Sequence, residues 1–104
     1  MRMWLLPPAC HCRKHLLGAH VECHMLAGAL AKGKNLGRLL SDGFVDPSRV
    51  QEYHDAIVEE MAWRGYKHNS PLACSSEIQG SIDIQRSVRD LRARCTECRT
   101  DKEK

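Results

Sequence analysis

Glu22 is the only acid among the first 41 residues, where Arg2, Arg13, Lys14, Lys32, Lys34 and Arg38 leave a net charge of +5. A lone carboxylate in a region that would attract a polyanion is a candidate for chemistry rather than for solubility. Its neighbours at helical spacing are small. Gly18 at i−4, Ala19 at i−3 and Ala29 at i+7 would leave a shallow notch where another backbone or a ligand could approach the carboxylate. Glycine inside a helix costs roughly 1 kcal/mol relative to alanine, so Gly18 calls for a packing or functional reason. His15 falls two turns earlier on the same face. The competing reading of Glu22 is a plain surface acid.

Cysteine supplies the second set of reactive side chains. Cys10-His11-Cys12 near the start and Cys95-Thr96-Glu97-Cys98 near the end form two close pairs among six cysteines. Cys-x₂-Cys is a common half of a zinc site, and thiolates suit zinc. Cys10, Cys12, Cys95 and Cys98 are therefore candidate ligands of a structural zinc that would pin the last helix to the N-terminal segment. Free thiols and redox chemistry stay open beside that reading. Cys23 and Cys74 are expected to be bystanders.

Three helices must position these groups. Leu16, His20, Cys23, Ala27, Leu30 and Ala31 recur at three-to-four-residue spacing and predict a helix from about Cys12 to Lys32, ending before Gly33. A loop punctuated by Gly33, Gly37 and Gly43 follows. Asp46-Pro47 reads as an N-cap with proline at the first helical position, and Val50, Tyr53, Ile57, Val58 and Met61 form the apolar stripe up to Gly65. A turn-rich link, Lys67-His68-Asn69-Ser70-Pro71, leads through a polar stretch to a third helix from near Asp83. There Ile84, Val88, Leu91 and Cys95 face inward while Arg86, Arg89, Arg92, Arg94 and Arg99 stay outside. No segment alternates as a strand would and no repeat is visible, so the expected class is all-α, a compact three-helix single domain over residues 1–104.

The whole chain is consistent with that frame. At 104 residues, 42% hydrophobic and 28% charged, it has the length and composition of one small globular domain. Residues 42–63 carry a net charge of −5 and residues 64–104 one of +3, so charge is segregated along the chain. Such asymmetry suits a polyanion on one face, with ordinary solvated charge as the plain alternative. No apolar run approaches the roughly 20 residues that span a bilayer, and the start lacks the apolar length of a secretory signal. The expected compartment is the cytoplasm of a bacterial or phage-infected cell, where cysteines are thiols or metal ligands rather than disulfides.

Two longer stretches carry a family resemblance. Met1-Arg2, His15-Leu16-Leu17-Gly18-Ala19-His20-Val21-Glu22 and Gly28-Ala29-Leu30, followed by Met61-Ala62-Trp63-Arg64-Gly65-Tyr66-Lys67-His68-Asn69-Ser70-Pro71-Leu72, resemble the pyrimidine-dimer DNA glycosylase family, of the phage endonuclease V type. The resemblance covers most of residues 1–72. It implies an all-helical DNA repair enzyme, a glycosylase and abasic-site lyase without a catalytic cofactor. In that family the α-amine attacks the sugar C1′, expels the base and leaves a Schiff base, and a helix-borne glutamate assists the β-elimination that cuts the strand.

By position, the resemblance puts the nucleophilic α-amine on Met1, the catalytic glutamate at Glu22 and a phosphate-binding arginine at Arg2. The remaining candidate DNA contacts are Arg13, His15, Lys32, Lys34 and Lys67. A free α-amine has a pKa near about 8 against about 10.4 for lysine, so far more of it is neutral and nucleophilic at pH 7. The expected partner is double-stranded DNA carrying pyrimidine dimers or abasic sites, bound by a monomer with no membrane role. The sequence departs from the prototype at the nucleophile, where Met1 replaces a threonine exposed by processing. It departs again at Ala19 and Val21, which replace polar or charged residues, and in a C-terminal segment that bears no likeness. The alternative function is a zinc-stabilised nucleic-acid-binding module without catalysis, which leaves Glu22 and its notch unexplained.

Overall fold

A computed structural model describes residues 1–68 and 70–98. Asn69 of the turn-rich link and Arg99 lie outside the described residues. Among the described residues four α-helices follow one another: α1 Arg13–Ala31, α2 Gly37–Ser41, α3 Val50–Trp63 and α4 Ile84–Arg94, with 3₁₀ turns at Pro8–Cys10 and Pro47–Arg49. Among the described residues there is no strand, so the all-α expectation holds. Cys12 and Lys32 are the residues that cap α1.

Glycine ends α3 as its position suggests. Gly65 has φ of +82°, which lets the Tyr66 amide reach back to the Met61 carbonyl at 2.8 Å and close the helix. Helix α4 starts at Asp83, whose side chain accepts from the Arg86 amide at 3.2 Å.

Three expectations are corrected. Helix α2 occupies part of what the glycines suggested was loop. Asp46 does not cap α3. Its carboxylate accepts instead from the Ser48 hydroxyl at 2.7 Å and the Gly80 amide at 3.1 Å, so a 3₁₀ turn precedes the helix. The buried stripes also differ from the expected ones. In α1 the buried residues are Leu16, Ala19, Cys23, Leu26 and Ala29, while in α3 His54 is buried and Val58 only half-buried. The Arg2 amide bonds to Glu22, so the N-terminal segment runs beside α1 and draws Ala19 into the interior.

Two apolar clusters form the core, and residues 3–6 join them. Met3 belongs to the cluster built on Leu16, Cys23, Leu26, Tyr53, Ile57 and Met61 between α1 and α3. Trp4 and Leu6 belong to the other, with Leu91 and Cys98 and the flanking Ile84, Val88 and Cys95. The stripe read along α4 is thus the face that grips the N-terminal segment. The chain bends at Leu5, whose φ of 54° is unusual for a branched side chain and sits between the buried Trp4 and Leu6.

Among the described residues of 64–83 there is no regular element, and side chains of other segments hold this stretch. The Gln51 amide donates to the Leu72 carbonyl at 2.8 Å and accepts from the Cys74 amide at 2.7 Å, imitating a peptide group. Gly80 lies so close to Val45 that a Cβ there would meet the Val45 carbonyl oxygen at 1.9 Å.

Candidate active site

The N-terminus is positioned by its own backbone. The Arg2 amide donates to Glu22 Oε2 at 2.6 Å, and the Met3 amide donates to the Phe44 carbonyl at 2.7 Å. With Met3 only 1% exposed, these two bonds fix the direction in which residue 1 leaves the fold. Met1 and Glu22 line the same cleft of about 530 Å³, with Arg2, Trp4, His15, Met25, Phe44 and Arg94. A second cleft of about 500 Å³ is lined by Met1 and Met25 too, so the two adjoin there, and it takes in Lys32 and Lys34. An amine, a carboxylate and cations along two adjoining clefts can bind a phosphodiester chain and do acid–base or nucleophilic work on it.

The cation expected to grip a phosphate is engaged elsewhere. The Arg2 guanidinium bonds to Asp90 at 2.9 Å and lies over Trp4 at 4.1 Å and Phe44 at 5.0 Å. That hydrogen bond holds the Asp90 carboxyl below the usual carboxylate range. Arg13 is exposed with its guanidinium 5.1 Å from the Tyr66 ring, and Lys67 is exposed. Neither lines the two clefts. The notch beside Glu22 is partly as expected. A Cβ at Gly18 would meet nothing within 4 Å, and Ala29 lines the second cleft, but Ala19 is core.

Three of the thiols gather around His15, which lines this cleft. Cys12, His15, Cys95 and Cys98 each present a ligand atom within 4.8 Å of the others. Cys12 Sγ is 3.8 Å from Cys95 Sγ and 3.2 Å from His15 Nδ1, and the Cys12 amide donates to Cys98 Sγ at 3.3 Å. Tetrahedral zinc with Zn–S near 2.3 Å puts thiolates about 3.8 Å apart, so the cage fits that ion. Cys10 is not in it. That residue ends the Pro8–Cys10 turn and is buried, whereas Cys12 caps α1 and has His15 one turn on, at i+3. The fourth place is therefore taken by the histidine read as a DNA contact. Burial pushes the Cys98 thiol up to about 12, a cost that a divalent cation would remove.

A second group was missed in the sequence. His20, His24, His54 and His68 each offer a ring nitrogen within 4.8 Å of the others. The i, i+4 pair His20 and His24 was a visible signal, hidden because His20 fits the apolar stripe. Trp4, Met25, Phe44 and Arg94, which line the first cleft, were also unassigned; Arg94 read as an outer-face charge.

Among known proteins, the family model described as pyrimidine dimer DNA glycosylase matches residues 1–73. No curated protein and no solved structure matches. Among the described residues no helix is long and apolar enough to cross a membrane.

Proposed function

Because this chain belongs to the pyrimidine dimer DNA glycosylase family, whose model spans 73 of its 104 residues, we propose that it is a DNA glycosylase and abasic-site lyase using the α-amine of Met1 and the carboxylate of Glu22. One observation carries the reading: the 2.6 Å bond from the Arg2 amide to Glu22 ties the first peptide unit to the carboxylate, at the mouth of a cleft both residues line.

The neutral amine attacks C1′ of a nucleotide extruded from the stack, and the C–N glycosidic bond breaks with its electrons leaving on the base. The C1′–N bond opens the sugar and becomes an imine. Glu22 takes a proton from C2′, the imine accepts the electron pair, and the 3′ phosphate leaves by β-elimination. Water then hydrolyses the imine and restores the amine. On an abasic site the same steps start from the sugar hemiacetal, with water as the first leaving group. Double-stranded DNA with pyrimidine dimers or abasic sites is the proposed substrate, acted on by a monomer in which residues 1–104 work as one unit. Arg94 lines the first cleft and Lys34 the second, Met1 lines both, and these two cations are the proposed phosphate contacts beside it. Zinc held by Cys12, His15, Cys95 and Cys98 would be structural, since no open position is left for substrate.

Borohydride reduction tests the mechanism. Protein incubated with abasic DNA should form a covalent complex that maps to Met1 and not to Lys14, Lys32 or Lys34. Acetylating the N-terminus or extending it with a retained tag should abolish trapping while ionic binding persists. Full nicking by the blocked protein would overturn the amine mechanism. The non-catalytic module predicts binding without any trapped species.

A further inference from the structure

We propose that His20, His24, His54 and His68 form a second, all-imidazole metal site that holds a structural zinc-class divalent cation, independent of the active-site reading. Three segments meet there. His20 and His24 stand one turn apart on α1, His54 comes from the middle of α3, and His68 from the segment that follows α3. Ring centroids are 4.8 Å apart for His20–His24 and His20–His68, and 4.9 Å for His20–His54.

Hydrogen bonding around the rings says which nitrogens are spare. Nε2 of His24 and Nε2 of His68 lie 3.0 and 2.8 Å from the Ser70 carbonyl oxygen. A carbonyl only accepts, so both rings donate from Nε2, and in the neutral imidazole the lone pair is on Nδ1. His54 Nδ1 donates to Asp55 at 3.0 Å, which leaves its Nε2 with a lone pair. That Nε2 and the Nε2 of His20 are buried and have no hydrogen-bond partner in the protein. Buried polar atoms without partners are rare in folded proteins and call for an ion or a water. A carboxylate or carbonyl on the far nitrogen of a ligating histidine is the arrangement that orients such rings, and three of the four rings have it.

The donor set selects the ion. Four neutral imidazoles suit zinc, and no carboxylate or water is needed to complete a tetrahedron. Zn–N distances near 2.0–2.1 Å put tetrahedral nitrogens about 3.3 Å apart, so nitrogens within 4.8 Å close on the ion by moving less than about 1 Å each. With four protein ligands the site is closed. At 100° per residue, His20 and His24 sit on the side of α1 opposite Glu22. The ion would therefore brace the helix from behind the carboxylate and anchor the start of the long segment 64–83.

Untagged full-length protein, purified without chelators, should contain one ion per chain beyond any held by the thiol cage, with four nitrogen neighbours and no sulfur in X-ray absorption once that cage is removed. Removing the thiol cage with Cys95→Ser and Cys98→Ser should leave that nitrogen-only ion in place. His68→Asn, at a half-buried loop position that spares the core, should release it, lower the thermal midpoint by several degrees and speed proteolysis within 66–74. Cobalt added to the double serine variant should give a tetrahedral visible spectrum without a thiolate charge-transfer band, lost in His68→Asn. Folded double serine variant with no bound metal and no cobalt uptake would overturn the proposal, as would unchanged metal content in His68→Asn or a square-planar copper signature. Metal content is read without DNA, so failure here leaves the glycosylase reading standing and failure of the latter leaves this one.

Discussion

At the scale of single residues, Glu22 has two tasks that one substitution can separate. It accepts the Arg2 amide and so positions the chain start, and in the proposed mechanism it also takes a proton. Glu22→Gln keeps an oxygen for the Arg2 amide but removes the basicity. Nicking of abasic DNA should fall by about a hundredfold or more, while binding stays constant or tightens because a negative charge has left the phosphate path. Unchanged nicking would remove Glu22 from the chemistry. Asp90 offers the opposite experiment. It neutralises Arg2 at 2.9 Å from a helix that lies beyond the residues matched by the family. Asp90→Asn frees the guanidinium while its packing on Trp4 remains, so affinity for DNA at low salt should rise and the slope of log affinity against log salt should steepen by about 1. Equal slopes for the two proteins would show that Arg2 meets no phosphate.

At the scale of elements, what was legible in the sequence and what was not divide by range. Helices α1, α3 and α4 were visible because their signals are local: apolar spacing, an acid at the start of α4, glycine at Gly33 and Gly65. Helix α2 was not, since five residues are too few to show a period. Its one marker was Gly43, a residue with φ of +74° that read equally well as loop. Asp46 and Gly80 were misread or passed over because their partner is 34 positions away, and nothing local announces a tertiary bond. The same holds at the site. Glu22 stood out by composition, and Met1 by family register, but the histidine quartet and the exchange of His15 for Cys10 depend on which helices meet. Two glycines make the contrast testable. Gly18→Ala adds a methyl that meets nothing within 4 Å in a helix, so it should stabilise by up to about 1 kcal/mol. Gly80→Ala drives a Cβ to 1.9 Å from a backbone oxygen and should cost about 2–3 kcal/mol. Urea unfolding of both variants checks the signs.

For the whole molecule, the question is how a small fold keeps a long, cation-bearing helix in register with the proposed nucleophile at Met1. Helix α1 runs about 28 Å at 1.5 Å per residue, a length comparable to eight base pairs of DNA. Arg13 stands at its first turn and Lys32 caps its last, with Lys34 just beyond and Lys67 on the segment after α3. All four are exposed, and the site's carboxylate lies between the ends. If these four each displace one counterion, a rise from about 50 to 200 mM salt should weaken binding by roughly a hundredfold. Arg13→Ala, Lys32→Ala, Lys34→Ala and Lys67→Ala should then each reduce the salt slope by about 1 without abolishing the trapped imine, because the proposed imine chemistry is carried by the amine and Glu22. Lys32 and Lys34 line a cleft that Met1 shares, whereas Arg13 and Lys67 line neither, so the first pair should also alter the rate of trapping at saturating DNA. Fluorescence anisotropy across a salt series, paired with single-turnover trapping, reads both quantities. Binding that changes less than twofold over that salt range would mean that the charge segregation of this chain is not a DNA footprint, whatever chemistry the cleft performs.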